Sequence, residues 1–301
     1  MHVPVNSLAW PAGGLALALC LPTPAATTDP GDATLAQAKS RFAKLGTNRV
    51  HYVELGRGTP TLVFVHCWAG KLAFWRFQSA ALQGRSHLIF LDLPGHGQSD
   101  APQTPCTMAG YARAVEAVLR DARVSRAVLV GHSMGVNVIS RFYRDFPAQT
   151  QALVAVDGSW RGFDLSREQF ERWLGPFRGP EYRQTVAKFI DDMFPVAATE
   201  ALREQAKAAM LRTPQRVMVS SLEGIFDRAA WECKRIDVPV LVLNASNPIW
   251  TADYEAYVRK LAPQLDYRTI PGTGHFLMQE KPEAVNTALL EFLRQYRLVT
   301  K

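Results

Sequence analysis

Short, unbroken apolar runs alternate along this chain with stretches whose apolar positions recur at helical spacing. Thr61-Leu62-Val63-Phe64-Val65 and Leu88-Ile89-Phe90-Leu91 are continuously apolar, as central strands covered on both faces are. Arg49-Val50-His51-Tyr52-Val53-Glu54 alternates instead, which suits an early antiparallel strand, and Gly56-Arg57-Gly58 supplies its turn. Residues 72–82 suit a helix, and 108–120 an amphipathic one with Tyr111, Val115, Val118 and Leu119 on one face. A strand at 128–130, a helix at 136–146 and a strand at 152–156 extend the alternation. The fold class this predicts is α/β, a doubly wound and mostly parallel sheet.

The rhythm breaks after Trp160. Residues 160–230 contain no convincing strand, only helical stretches such as 167–174, 181–194 and 199–211, punctuated by Gly175-Pro176, Gly179-Pro180 and Pro214. Alternation resumes with a strand at 238–243, a helix at 253–261, a strand at 266–270 and a helix at 283–296. The expected organisation is a polar linker through residue 40, an α/β core over 45–158 and 232–298, and a helical cap or lid over 159–231.

Composition narrows the class without changing this picture. The chain has 301 residues, 48% of them hydrophobic and 20% charged, enough for one large core and too apolar for a disordered or fibrous protein. A formal net charge of +7 raises the question of an anionic partner. The Lys and Arg residues are scattered, however, so a solvated basic surface is expected, with no nucleic acid as partner.

The first 28 residues hold no Asp, Glu, Lys or Arg, and Leu15-Ala16-Leu17-Ala18-Leu19-Cys20-Leu21 is apolar before Pro22-Thr23-Pro24-Ala25-Ala26. Residues 1–26 therefore read as a signal peptide cleaved near Ala25 or Ala26, which implies export to a periplasm or secretion; cytoplasmic residence is the alternative. No later segment is apolar over the length a membrane span requires, so stable insertion is not expected. Of four cysteines, Cys20 falls in this presequence. Cys67, Cys106 and Cys233 form neither a zinc pattern nor a disulfide framework, and no metal site or cofactor is expected.

The chemistry centres on Gly131-His132-Ser133-Met134-Gly135, preceded by Arg126-Ala127-Val128-Leu129-Val130 and followed by a helical pattern. A hydroxyl projected from so sharp a strand-to-helix turn needs glycine on either side, which makes Ser133 the candidate nucleophile. The Met134 amide then faces the place where an oxyanion would form.

Together with three further motifs, this box resembles the α/β-hydrolase superfamily over roughly residues 45–298, with a helical cap as in its dehalogenase- and epoxide-hydrolase-like members. Val65-His66-Cys67-Trp68-Ala69-Gly70 is similar to the family's His-Gly loop, which implies the Trp68 amide as second oxyanion-hole donor, with Cys67 in the usual glycine position. Asp92-Leu93-Pro94-Gly95-His96-Gly97-Gln98-Ser99-Asp100 is similar to a family loop read here as structural. Pro271-Gly272-Thr273-Gly274-His275-Phe276 resembles the loop that carries the general base, implying His275. His132 is expected to be packed, and His66 and His96 to hold their loops.

The acid has more than one candidate. The resemblance places a carboxylate after the strand at 238–243, but Asn247 stands there, and Asp253 reads better as a helix-start residue. A second family arrangement puts the acid after the preceding strand, where Asp157 ends Val154-Ala155-Val156-Asp157. Asp157, Asp253 and a dyad with Asn247 remain open.

A serine nucleophile implies acyl transfer to water rather than the direct alkyl displacement of aspartate-based relatives. Aromatic residues crowd the cap, and Trp68, Trp160, Phe163, Trp250 and Phe276 are the expected substrate contacts. An apolar slot without an arginine clamp suits a bulky or aromatic, uncharged small-molecule ester. A lactonase or carbon–carbon hydrolase shares the triad. A cofactor-free oxygenase or lyase and a slow-turnover ligand receptor are the readings from other classes.

Overall fold

A computed structural model describes residues 34–299 apart from 36, 163, 196, 197, 233 and 234. The expected signal peptide with Cys20, the substrate contact Phe163, and Cys233 lie outside the described residues.

The apolar runs meet in one eight-stranded sheet of order β1-β2-β4-β3-β5-β6-β7-β8. β1 (Ser40–Leu45), β2 (Asn48–Leu55) and β4 (His87–Leu91) pair antiparallel in that order. β3 (Thr61–Val65), β5 (Ala127–His132), β6 (Thr150–Val156), β7 (Val240–Ala245) and β8 (Leu265–Ile270) continue in parallel from β4. Every residue of β5 and β7 is buried, which is why those stretches are apolar without alternation. β1 emerges from what reads as the end of a linker. Of its six residues only Ala43 is buried, so its edge position leaves almost no apolar signal.

Winding turns back at β3. The chain goes from β3 to β4 on one side and then crosses to β5 on the other, so the loops leaving β3 and β5 open side by side at the sheet's C-terminal edge. Val65 pairs in register with Gly131, which brings the His66–Gly70 loop beside the Ser133 turn. Ligands of open α/β sheets bind at such reversal points.

Helices α1 (Arg76–Leu82), α2 (Met108–Asp121) and α3 (Met134–Asp145) follow strands as the spacing predicts, except that a 3-10 turn, Leu72–Trp75, leads into α1. Between β6 and β7 the described residues form helices only: α4 (Arg167–Arg178), α5 (Tyr182–Asp191), α6 (Glu200–Met210), α7 (Gln215–Phe226) and α8 (Arg228–Trp231). Ser166 and Gln169 start α4 with a reciprocal capping box. That helix runs on through Gly175-Pro176, because Phe177 extends the buried face begun by Phe170 and Leu174. α5 stops short of the expected residue 194, and Met193-Phe194-Pro195 leaves it to lie on the loop that carries His275. α9 (Ala252–Leu261), α10 (Leu277–Glu280) and α11 (Pro282–Gln295) complete the chain. Among the described residues no helix is long and apolar enough to cross a membrane.

Candidate active site

Ser133 sits between β5 and α3 with φ 53° and ψ −118°, a conformation that only a tightly held non-glycine residue keeps. Its own backbone fixes it there. The Ser133 N–H donates to Val156 O at 3.0 Å, and its carbonyl accepts from Val136 N–H at 2.9 Å. The flanking glycines permit the close approach. A Cβ on Gly131 would stand 2.4 Å from Gly135 O, and one on Gly135 would stand 2.5 Å from Val65 O. Ser133 is half-buried.

His275 reaches the same edge from the loop after β8. Its Nδ1 lies 2.7 Å from Asp157 Oδ2. A carboxylate only accepts, so Nδ1 carries the proton and Nε2 is left free to accept one. Among the described residues no hydrogen bond joins the Ser133 hydroxyl to this ring; such contacts tighten when substrate binds. Asp157 follows β6 at φ 41° and is almost wholly enclosed, its side chain 1% exposed. Its second oxygen, Oδ1, accepts from the Ala245 N–H at 2.8 Å and from Trp250 Nε1 at 2.9 Å.

The other acids considered go elsewhere. Asp253 is 71% exposed and pairs with Arg161 at 2.8 Å, which holds its carboxyl below the usual range. Asn247 turns its Oδ1 onto the Ile249 N–H at 3.0 Å, closing its own loop. The structure brings together Ser133, His275 and Asp157, and leaves Asp253 and Asn247 outside that group.

Two backbone amides lie at or beside the Ser133 turn. Met134 N–H is the first of α3, and Trp68 N–H lies in the adjoining loop; among the described residues neither has a hydrogen-bond partner. The cysteine at 67 does not have to imitate glycine, since the left-handed residue of that loop is Ala69, φ 53°. Burial pushes the Cys67 thiol up to about 12, so it remains protonated and apolar in character.

The loops behind the site are fixed by groups that do not reach it. Buried His66 donates from Nδ1 to Cys67 O and accepts the Leu93 N–H on Nε2, and burial lowers its proton affinity. Asp92 takes the N–H groups of Leu72 and Gln98 and the His51 ring. Although burial opposes its charge, the His51 bond and those amides hold its carboxyl below the usual range. His132 is buried and donates from Nε2 to the His275 carbonyl at 2.7 Å. Burial, with His275 close by, keeps its proton affinity well below the ordinary value.

Three of the aromatic residues expected to touch substrate are placed in packing or bonding roles. Phe276 is fully buried and stacks on Phe194 at 4.7 Å. Trp160 is buried beside Tyr254, whose hydroxyl accepts its N–H. Trp250 spends its indole N–H on Asp157. Trp68 is 4% exposed; its indole donates to Met218 O in α7, and its ring meets Phe177 and Phe189 edge-on. Sequence reasoning missed Glu280, whose carboxylate accepts the N–H groups of Gly274 and Phe276 on either side of His275. An acid so soon after the histidine was its only signal. Among the described residues no cluster of His, Cys, Asp or Glu could hold a metal ion.

Comparison with known proteins agrees with this fold. The chain is 34% identical over 268 residues to the dihydrolipoyllysine-residue acetyltransferase component of an acetoin cleaving system from Cupriavidus necator, covering 86% of this chain and 70% of that one. Among solved structures, a thermophilic esterase from Thermogutta terrifontis superposes with a TM-score of 0.74 at 22% identity, over 86% of this chain and 99% of the other. An enol-lactonase from Burkholderia xenovorans does so with a TM-score of 0.76 at 20% identity, over 84% and 100%. These neighbours share the fold. The model of the Alpha/beta hydrolase family matches residues 62–288, and the chain belongs to that family.

Proposed function

We propose that the protein is a serine hydrolase that cleaves a carboxylic ester of a bulky or aromatic, uncharged substrate through an acyl-enzyme. The observation that carries this reading is the short His275–Asp157 bond beside the Ser133 turn. His275 Nε2 takes the proton of Ser133 Oγ as that oxygen attacks the ester carbonyl, and Asp157 stabilises the imidazolium that results. The Trp68 and Met134 amides receive the oxyanion. His275 returns the proton to the departing alcohol, and water then resolves the acyl-enzyme by the same steps reversed.

Residues 159–231 act in this reading as a cap over the site. Support comes from its contacts with the core: Trp68 Nε1 to Met218 O at 2.9 Å, Thr213 Oγ1 to Ala69 O at 3.1 Å, and His275 N–H to Met193 O at 3.0 Å. Trp68 of the core packs edge-on with Phe177 and Phe189 of this segment, so the contact between the two is apolar and aromatic, which favours a substrate without charge. Lactone opening uses the same groups, and the fold shared with an enol-lactonase favours it as the second reading.

A panel of aryl esters and lactones, assayed with wild type and Ser133→Ala, tests this. Turnover of a panel member by wild type, with a loss of about four or more orders of magnitude in kcat for the variant, is the expected result. Activity that survives Ser133→Ala, or binding without turnover, would overturn it.

A further inference from the structure

The Asp157 carboxylate is enclosed in protein, and a buried carboxylate without partners takes up a proton rather than stay charged. No Lys or Arg bonds to it among the described residues. Its partners are the His275 ring on Oδ2, and the Ala245 amide and the Trp250 indole on Oδ1. Of the two neutral donors on Oδ1, the amide comes with the strand whatever its sequence. The indole N–H is a side-chain choice.

The loop after β7 presents that indole in a defined position. Asn247 O accepts the Trp250 N–H at 3.0 Å, the Asn247 side chain closes the turn on Ile249, and Thr251 Oγ1 caps α9 through the Tyr254 N–H. The Trp250 ring lies tilted against Tyr254, with centroids 5.0 Å apart. The other titratable groups around the pair do not bond to Asp157. His132 stands 4.7 Å from His275, Glu280 holds the amides of Gly274 and Phe276, the Tyr267 hydroxyl accepts from Asn244, and the Tyr254 hydroxyl serves Gly158 and Trp160.

We propose that Trp250 is a positioning residue of the catalytic triad, whose indole N–H holds the Asp157 carboxylate turned so that Oδ2 meets His275. This rests on the roles given above to Ser133, His275 and Asp157. Removing the N–H leaves one lone pair of a buried anion unfilled. The Asp157–His275 pair then holds its proton more tightly and releases it at higher pH.

The test measures kcat and KM against pH for a small aryl acetate with wild type, Trp250→Phe and Trp250→Gln, alongside thermal unfolding. Trp250→Phe keeps an aromatic ring without the donor, and its kcat is expected to fall about tenfold, as loss of one hydrogen bond to a charged group implies. KM should change little, and the acid limb of the kcat profile should move to higher pH. Trp250→Gln supplies an N–H again and should restore part of both. A rise in KM alone would mean that Trp250 lines the substrate slot. A loss of kcat that tracks unfolding, with the acid limb unmoved and no rescue by Gln, would mean that it only packs; either result overturns the proposal. If wild type itself fails to label with a fluorophosphonate, the fault lies with the triad assignment, not with Trp250.

Discussion

An enclosed carboxylate can serve a histidine in two ways, by fixing which ring nitrogen carries the proton and by balancing the charge once the ring is protonated. Asp157 is built for both, since Oδ2 meets Nδ1 at 2.7 Å while Oδ1 is occupied by two N–H groups. Asparagine in its place can offer an N–H to the ring and reverse the tautomer, and it brings no charge. Asp157→Asn should therefore lower kcat by about three to four orders of magnitude. Asp253→Asn loses only an exposed pair with Arg161 and should stay within a few-fold of wild type. Steady-state rates of the two variants on one aryl ester check this. Full activity in the first with loss in the second would move the acid to Asp253.

Elements place these residues with little slack. α3 begins directly over the end of β3, and a methyl group on Gly135 would meet Val65 O at 2.5 Å, so the helix would have to lift from the sheet. Gly135→Ala should cost about 1–3 kcal/mol of stability by urea unfolding and displace the Met134 amide with it. A midpoint equal to wild type would contradict that packing. This crowding was legible in the sequence because backbone contact at a turn demands glycine at fixed spacing, and the buried strands were legible as unbroken apolar runs. β1 was hidden, since an edge strand with one buried residue carries no pattern. The continuation of α4 past Pro176 depended on tertiary burial of Phe177, which local turn chemistry does not encode. At the site, Ser133 and His275 stand in local motifs. Asp157 had to be weighed against Asp253 because its partner lies on another loop, and the indole of Trp250 looked like pocket lining until its direction was known.

The molecule as a whole contains a cost in acid. His66, His96 and His132 are buried and neutral, and burial is the leading cause of the lowered proton affinity of each; His96 is pushed down to about 3. The unfolded chain binds protons at these histidines near pH 6.5, before the folded chain does. Their contribution is therefore complete above about pH 6.5 and declines as pH falls toward the folded values. Asp92, also depressed, adds a loss in the same direction at lower pH still. The urea midpoint should fall between pH 7.5 and pH 5, with further loss below; a flat profile across that interval would show that the three rings take up protons as readily in the fold as in the unfolded chain. Links between the helical segment and the core bear on the same stability. Arg76 of α1 donates to Gln279 and, across to the segment, to Gln205 of α6, and Phe194 of the segment stacks on Phe276.

The central claim is a covalent one: Ser133 carries the acyl group between its two transfers. It is tested most directly by acid-quenching wild type and Ser133→Ala within milliseconds of mixing with an activated aryl ester that the enzyme turns over, then locating any added acyl mass by peptide mass spectrometry. The account predicts an acyl adduct on the peptide containing Ser133 in wild type, formed with a burst of released phenol, and neither adduct nor burst in the variant. Turnover with no adduct on Ser133, or an adduct on another residue in both proteins, would contradict it.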